Sequence, residues 1–366
     1  MTTATTRTPS TPSTPSGATG ATAHVAARLR ARRRAQDLRT VRVTAVLTVL
    51  LLGGMAASVL LGGVGSVDLS DVLPAALGLR TGLADYLIFQ LRMPRTLSAV
   101  LAGALFGLAG ALYQRIVRNP LATPDIVGIS AGAGAGAATV LLLAPAATAG
   151  VGTPAAAIAG SFVMVAVVYA LSWRRGIDTY RLVLVGIGLS GVCAAYTNYL
   201  FTLADESSVA VATRWLIGST SAADWDGVTT LALGLAVCLF GTGLVHRPLA
   251  DMALGDQLAT GLGTKVAPAR VAVLLLGAGA AALATSVVGP VGFVSLVSGP
   301  IAQRLVGGDR AVAVAPLVGA VVVIGSDVLA QNAPLISPVP TGVLTALLGA
   351  PYFVWLILRR RQGAVS

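Results

Sequence analysis

The stretch Leu91–Ala137, LRMPRTLSAVLAGALFGLAGALYQRIVRNPLATPDIVGISAGAGAGA, decides the fold of this chain. Two apolar runs flank a short polar break that contains Pro120 and Pro124. Apolar runs of roughly 20 residues cross a lipid bilayer as helices, and the prolines stop helix propagation. Asn119 and Asp125 can hydrogen-bond the freed backbone groups, and Asp125 is placed to cap the second helix. The stretch therefore predicts two membrane helices joined by a tight polar turn.

The composition extends this prediction to the whole chain. The 366 residues are 55% hydrophobic and 11% charged, with a mean hydropathy of +0.83, whereas a soluble domain carries about 25% charged residues. Strand-like alternation is absent, so we expect an all-α polytopic membrane protein. About ten apolar spans are predicted, at 43–61, 92–117, 126–143, 154–173, 182–203, 228–244, 267–288, 292–306, 311–330 and 338–358.

The distribution of basic residues predicts the orientation of these spans. If the N-terminus is cytoplasmic and the spans alternate, 21 of the 25 Lys and Arg residues lie in inner segments. The four in outer segments are Arg80, Arg92, Arg95 and Arg214. Cytoplasmic loops carry the excess of Lys and Arg in membrane proteins. We therefore expect about ten transmembrane helices, with the N- and C-termini both cytoplasmic.

The chain divides into two parts. Residues 1–42 combine a Thr/Ser/Pro/Gly tract with a basic run and cannot bury a core, so a disordered basic cytoplasmic tail is expected. Residues 43–361 form the predicted ten-helix transmembrane domain, whose first span is held on the cytoplasmic side by the preceding arginines. Residues 248–266 form its longest cytoplasmic loop.

Several long motifs in a fixed order resemble those of a known transporter family. After the stretch quoted above come ALGDQLATGLG at Ala253–Gly263, GPVGFVSLVSGPIAQRLVG at Gly289–Gly307 and PVPTGVLTALLGAPYFVWLILRR at Pro338–Arg360. Together they resemble the permease subunits of type II ABC importers for iron–siderophores, haem and vitamin B12, the FecCD-like transmembrane family. The resemblance covers roughly Leu47–Arg361 and leaves the N-terminal tail outside.

The resemblance implies a set of partners. Two permease subunits, either two copies or one copy with a sister permease, would surround a central pathway in the bacterial cell membrane. ATP-binding cassette ATPase subunits would bind at the cytoplasmic side, and an extracytoplasmic substrate-binding lipoprotein at the other. The chain itself would be no enzyme and would hold no cofactor or metal, because ATP and magnesium would bind to the partner ATPase. No nucleic-acid partner is expected.

The resemblance also implies roles for particular residues at the two mouths of the pathway. Arg92 and Arg95 match arginines that dock the binding protein; alternatively, they are interfacial arginines that reach the membrane surface. A third arginine often found near the outer end of the ninth span is replaced by Gln331. The cytoplasmic gate would comprise five residues, each of which could equally belong to a plain turn: Asn119, Leu121, Asp178, Thr179 and Tyr180.

Residues 248–266, which we name the coupling segment, can form short amphipathic helices. Apolar residues recur there at near-helical spacing until Gly261 and Gly263 end the pattern. An apolar face on a cytoplasmic loop needs a partner, and the resemblance implies that a cleft of the ATPase receives it. The alternative is an ordinary surface loop. The predicted coupling residues are Met252, Leu254, Gly255, Leu258, Gly261 and Leu262.

Asp327 is the one acid well inside a predicted span. An intramembrane carboxylate is a functional-site candidate by default. We expect a structural role, in which Asp327 bonds Gln331, Asn332 or backbone groups at the helix end. A proton-coupling role would instead suit an ion-coupled secondary transporter, which is the alternative from a different functional class.

Two further patterns narrow the function. A P-loop needs G-x-x-x-x-G-K-[ST], and the single lysine, Lys265, is followed by Val266, so ATP-driven transport would need a separate ATPase. GISAG at Gly128–Gly132 fits the nucleophile elbow of serine hydrolases, but that elbow needs a preceding strand and a catalytic triad.

The prediction for the whole chain is a permease subunit that moves a chelated metal compound inward. An iron–siderophore is the first choice, with haem and vitamin B12 left open.

Overall fold

The computed structural model describes residues 18–62, 74, 86–144, 152–173, 179–332 and 339–362. Within these ranges every extended regular element is a helix. A π-helical turn at Tyr86–Arg92 and a 3-10 turn at Pro124–Val127 accompany twelve α-helices. The α-helices are α1 Ala18–Leu60, α2 Met93–Val117, α3 Ile129–Leu143, α4 Gly152–Ser172, α5 Thr179–Leu203, α6 Glu206–Ile217, α7 Trp225–Met252, α8 Asp256–Gly261, α9 Val266–Val288, α10 Val294–Val306, α11 Arg310–Asn332 and α12 Thr341–Gln362.

Each predicted apolar span coincides with one of these helices. Among the described residues, seven helices are long and apolar enough to cross a membrane, namely α1, α2 with its π-helical turn, α4, α5, α7, α9 and α11. The helices α3 and α12 are apolar but shorter, and α10, the predicted eighth span, has 13 residues. The described part of the chain is thus all-helical and is that of a multi-pass membrane protein, while the count of ten spans stays a prediction.

Helix α2 lies at the centre of the bundle, against α9, α10 and α11. Its glycines allow very close contact: a Cβ at Gly103 would lie 2.5 Å from the Gly319 carbonyl oxygen. A Cβ at Gly107 would lie 2.4 Å from the Ala315 carbonyl oxygen. Helices in lipid associate largely through such close packing, because no hydrophobic effect drives apolar helices together there.

Helix α10 is the short helix predicted from the eighth apolar span, and Pro300 lies inside it. Proline lacks a backbone N–H, so the carbonyl four residues earlier, that of Leu296, loses its usual helical donor. The Gln114 side chain replaces that donor, with Nε2 3.0 Å from the Leu296 oxygen. Helix α2 therefore stabilises the interruption in α10 directly.

The polar break after α2 contains more structure than a simple turn. Asn119 Oδ1 accepts a hydrogen bond from the Leu121 N–H at 3.0 Å, and the 3-10 turn then leads to α3. The prediction that Asp125 caps α3 was wrong, because Gly128 occupies the N-cap and the added turn places Asp125 too early. Its carboxylate instead accepts hydrogen bonds from the hydroxyls of Ser130 and Ser295.

Helix α1 begins at Ala18, well before the predicted first span. It therefore covers residues 18–42, for which disorder was expected; residues 1–17 lie outside the described part. Ala, Leu, Arg and Gln are strong helix formers, and a helix that extends an existing span needs no new nucleus. The extension also contacts the bundle: Asp37 pairs with Arg310, and Arg39 donates to the Arg304 carbonyl oxygen at 2.8 Å.

Helix α6 was not predicted. Asp205 caps it, accepting hydrogen bonds from the Ser207 hydroxyl and from the N–H and hydroxyl of Ser208. These hydrogen bonds, that of Ser207 first, lower the pKa of Asp205 to about 2. With only 12 residues and an exposed polar face, α6 lacks the length by which the apolar spans were recognised.

Candidate functional site

Within the coupling segment, Asp256–Gly261 form the predicted short helix, α8, whereas residues 248–252 continue α7 and are not part of a loop. Leu254, Leu258 and Leu262 are 61%, 62% and 64% exposed. They lie on and beside α8, so an apolar surface is open to a partner. Met252 differs from the prediction. It is the last residue of α7 and is buried against the core, because the chain leaves the helix bundle only after this residue.

Two glycines shape the coupling segment. Gly255 precedes α8 with φ 114°, and Gly263 follows it with φ 87°. Side chains disfavour both conformations, so glycine is needed at these turns. Gly261 has no such requirement, because it is simply the last residue of α8.

One carboxylate joins the coupling segment to two long helices. Asp256, the first residue of α8, accepts hydrogen bonds at 2.7 Å from both Arg118 and Arg270. Arg118 directly follows α2 and also donates to the Met252 carbonyl oxygen at 2.6 Å. Burial raises the pKa of Asp256, but the hydrogen bonds and charges of Arg270 and Arg118 outweigh that effect, so this pKa lies below its usual value. The carboxylate is therefore ionised at neutral pH.

Three of the five predicted gate residues line one cavity beside the polar break. Asn119, Leu121 and Tyr180 line a cavity of about 430 Å³, together with Tyr113 and neighbouring apolar residues. Tyr180 is 75% exposed, near the start of α5. Thr179 is the first residue of α5, and Asp178 lies outside the described residues. The structure thus brings three of the five residues together, while their gating role stays a prediction.

Asp327 lies at the opposite end of the bundle, where its side chain is fully buried. The Arg95 guanidinium donates to both carboxylate oxygens, with nitrogen–oxygen distances of 2.9 Å and 3.1 Å. Thr220, Thr341 and Gln331 donate to the same carboxylate at 2.5, 2.8 and 2.6 Å. We name these five residues the Asp327 cluster; it joins α2, α11, α12 and the segment that precedes α7. The predicted contact with Gln331 is confirmed.

The predicted partner Asn332 does not contact Asp327, and the two predicted docking arginines both have partners within the subunit. Asn332 donates to the Val328 carbonyl oxygen and not to Asp327. Arg92 is buried, and its guanidinium donates to the Val59 carbonyl oxygen at 2.8 Å. Arg92 and Arg95 therefore both make contacts inside the subunit. Their docking of a binding protein stays a prediction.

Sequence reasoning missed the long-range partners of these acids. Arg118 and Arg270 were counted only as inner basic residues, and Thr220 and Thr341 were not considered. A usable signal was present at Arg118, because a basic side chain directly after a helix and before Asn-Pro can reach neighbouring carbonyl groups.

In the described part of the chain, no group of three or more His, Cys, Asp or Glu residues is arranged to hold a metal ion.

The fold and its two ends define a class of protein: a multi-pass helical membrane protein with an apolar segment exposed at one end and a buried ionic cluster at the other. Sequence comparison then identifies the family. The profile of the FecCD transport family matches residues 44–359, and the chain belongs to that family.

Relatives with known names agree with this assignment. The chain is 34% identical over 327 residues to the probable siderophore transport system permease protein YfhA of Bacillus subtilis, covering 86% of this chain and 95% of that protein. It is 31% identical over 301 residues to the ferric enterobactin transport system permease protein FepG of Escherichia coli, covering 82% and 91%. It is 33% identical over 280 residues to the hemin transport system permease protein HmuU of Yersinia pestis, covering 75% and 83%.

A solved structure shares the fold. It is described as an inward-facing conformation of a metal-chelate type ABC transporter. The TM-score is 0.74 at 27% identity, and the alignment covers 87% of this chain and 99% of that chain.

Proposed function

We propose that this chain is the membrane-spanning permease subunit of an ATP-driven importer that moves an iron(III)–siderophore into the cytoplasm. The subunit would cross the bacterial cell membrane ten times, with both termini cytoplasmic. It would pair with a second copy or a sister permease, and it would receive cargo from an extracytoplasmic binding protein. The names of its relatives support this cargo, with haem as the alternative that one of them represents. Vitamin B12 remains a further alternative from the sequence motifs.

The exposed leucines of the coupling segment carry the proposal. Three large apolar side chains in a short helix and its flanks need a protein partner. In the predicted topology they face the cytoplasm, and the sequence has no P-loop of its own. An ATPase bound at α8 fits the exposed leucines, the predicted topology and the absence of a P-loop.

An ion-coupled carrier working alone is less well supported. Such a carrier needs a carboxylate that can gain and lose its proton or ion during transport. Asp327 is the candidate, and its carboxylate is held by Arg95 and three further donors. A buried carboxylate whose oxygens are all engaged by fixed donors favours a structural role.

The first experiment tests whether α8 binds an ATPase. The tagged permease is co-expressed with its candidate partners and purified in mild detergent. We expect an ATPase to co-purify with the wild type and to be lost in Leu254→Asp, because a charge at the centre of an apolar contact must be desolvated. Leu38→Asp is the matched control, since Leu38 is also a well-exposed leucine, 58% accessible, but lies on α1.

The second part of the test identifies the cargo. Uptake of radiolabelled ferric siderophore is measured in cells that express the complete system, with haem and vitamin B12 as competitors. Saturable siderophore uptake that Leu254→Asp abolishes would support the proposal. Purification without any ATPase, together with transport driven by an ion gradient, would overturn it.

A further inference from the structure

We propose that Asp256, held between Arg118 and Arg270, is a positioning residue that links movement of α8 to the end of α2 and to the gate residues that follow it. We name these three residues the α8 clamp. The inference deepens the proposed function and rests on it, because it requires an ATPase that acts on α8.

The geometry of the α8 clamp joins three helices through one carboxylate. Asp256 begins α8, Arg118 follows the last residue of α2, and Arg270 lies in the early part of α9. Both ion pairs are 2.7 Å long. A displacement of α8 must therefore move the end of α2 or break an ion pair. Asn119, the first gate residue, is the next residue after Arg118.

The backbone at Arg118 is a second, independent observation. Arg118 has φ 54°, in the left-handed region. Glycine is the usual residue where a helix ends in this conformation, because a Cβ is disfavoured there. Among the described residues other than glycine, only Phe293 shares a positive φ. An arginine at this position is explained by its side chain, which reaches both Asp256 and the Met252 carbonyl oxygen.

The partial exposure of the α8 clamp argues against a main role in stabilising the fold. The side chains of Arg118 and Asp256 are both nearly half exposed, and that of Arg270 is about a quarter exposed. Ion pairs with this exposure contribute little to folding stability. Loss of the Asp256 charge should therefore leave the fold intact, so a defect in transport would report on transmission.

The test compares Asp256→Asn with Asp251→Asn in the permease co-expressed with its ATPase. Asp251 is the matched control because it lies in the same segment, and its carboxylate accepts a hydrogen bond from Thr264, also within that segment. We expect Asp256→Asn to retain the ATPase and its ATP hydrolysis but to lose siderophore uptake about tenfold, a coupling of ordinary size between linked sites. Asp251→Asn should transport normally, and Asp256→Glu should recover most of the uptake because it restores the charge.

A second measurement needs no partner. In hydrogen–deuterium exchange of the full-length permease alone in detergent, Asp256→Asn should raise exchange in residues 253–264 and in 118–123 together. The control should leave 118–123 unchanged. Exchange that rises only within the coupling segment would overturn the inference.

Other outcomes are also decisive. Normal uptake by Asp256→Asn would overturn the α8 clamp, as would loss of the ATPase, which would place Asp256 in the docking surface with Leu254. If the wild type retains no ATPase, the proposed function fails and transmission to an ATPase falls with it. The exchange measurement then still decides whether Asp256 joins α8 to α2.

Discussion

Asp327→Ala will destabilise the protein by roughly 3–5 kcal/mol, the range found when one partner of a buried ion pair is removed. The substitution leaves the Arg95 guanidinium as an uncompensated charge, because that guanidinium donates to both carboxylate oxygens of Asp327. It also removes the acceptor shared by Thr220 and Thr341. The change is measured as a fall in apparent melting temperature in mild detergent, followed by tryptophan fluorescence.

Two further variants separate charge from packing. Replacing both partners, in Arg95→Met with Asp327→Leu, should recover most of the lost stability, since an apolar pair of similar volume can substitute for a buried ion pair. Thr220 and Thr341 can then bond each other, as their oxygens already lie 2.9 Å apart. Asp309→Ala is the control for an ion pair near the surface: Asp309 pairs with Arg115, but its side chain is 49% exposed. We expect about 0–1 kcal/mol there.

The assignment of a structural role to the Asp327 cluster depends on these comparisons. If Asp327→Ala melts with the wild type, the ion pair does not stabilise the fold. If the double variant is as unstable as Asp327→Ala, the lost stability comes from packing around the site and not from an unpaired charge.

The sequence predicted those features that depend on local composition. Runs of apolar residues set the positions of the membrane helices, since span length follows from bilayer thickness. The contact between Asp327 and Gln331 was also accessible, because residues four apart share one face of a helix. The coupling segment was predicted from the spacing of its leucines in the same way.

Features that depend on tertiary packing could not be predicted. Arg95 lies 232 residues from Asp327, and nothing in either local sequence indicates the pairing. Composition alone also suggested disorder before residue 43, although a preformed membrane helix can continue into such a segment. Arg92 and Arg95 illustrate a further limit. Charge distribution predicted that they lie at the outer end of the bundle, but it could not predict that their guanidinium groups bond partners inside the subunit.

Gly110→Ala will produce the other large loss of stability. A Cβ at Gly110 would lie 1.8 Å from the carbonyl oxygen of Ser295, so helices α2 and α10 would have to separate. Overpacking of a well-packed core costs typically about 1–3 kcal/mol, occasionally more, and the upper part of this range is expected because the obstacle is backbone. The fall in apparent melting temperature in detergent measures the effect.

Gly243→Ala is the matched control, because it adds the same methyl group within a helix, α7, where nothing lies within 4 Å of the new Cβ. Alanine favours helix over glycine by roughly 0.8–1.0 kcal/mol, so this variant should equal or exceed the wild type in stability.

Gln114 lies one turn further along α2 than Gly110, and its side chain donates to the carbonyl oxygens of Ser295 and Leu296 in α10. Separation of α2 from α10 should therefore disturb these hydrogen bonds as well. Gln114→Ala should therefore add little to the loss in Gly110→Ala, since both changes release the same contact. Full additivity would show that the glycine packing and the support of α10 by Gln114 are independent features.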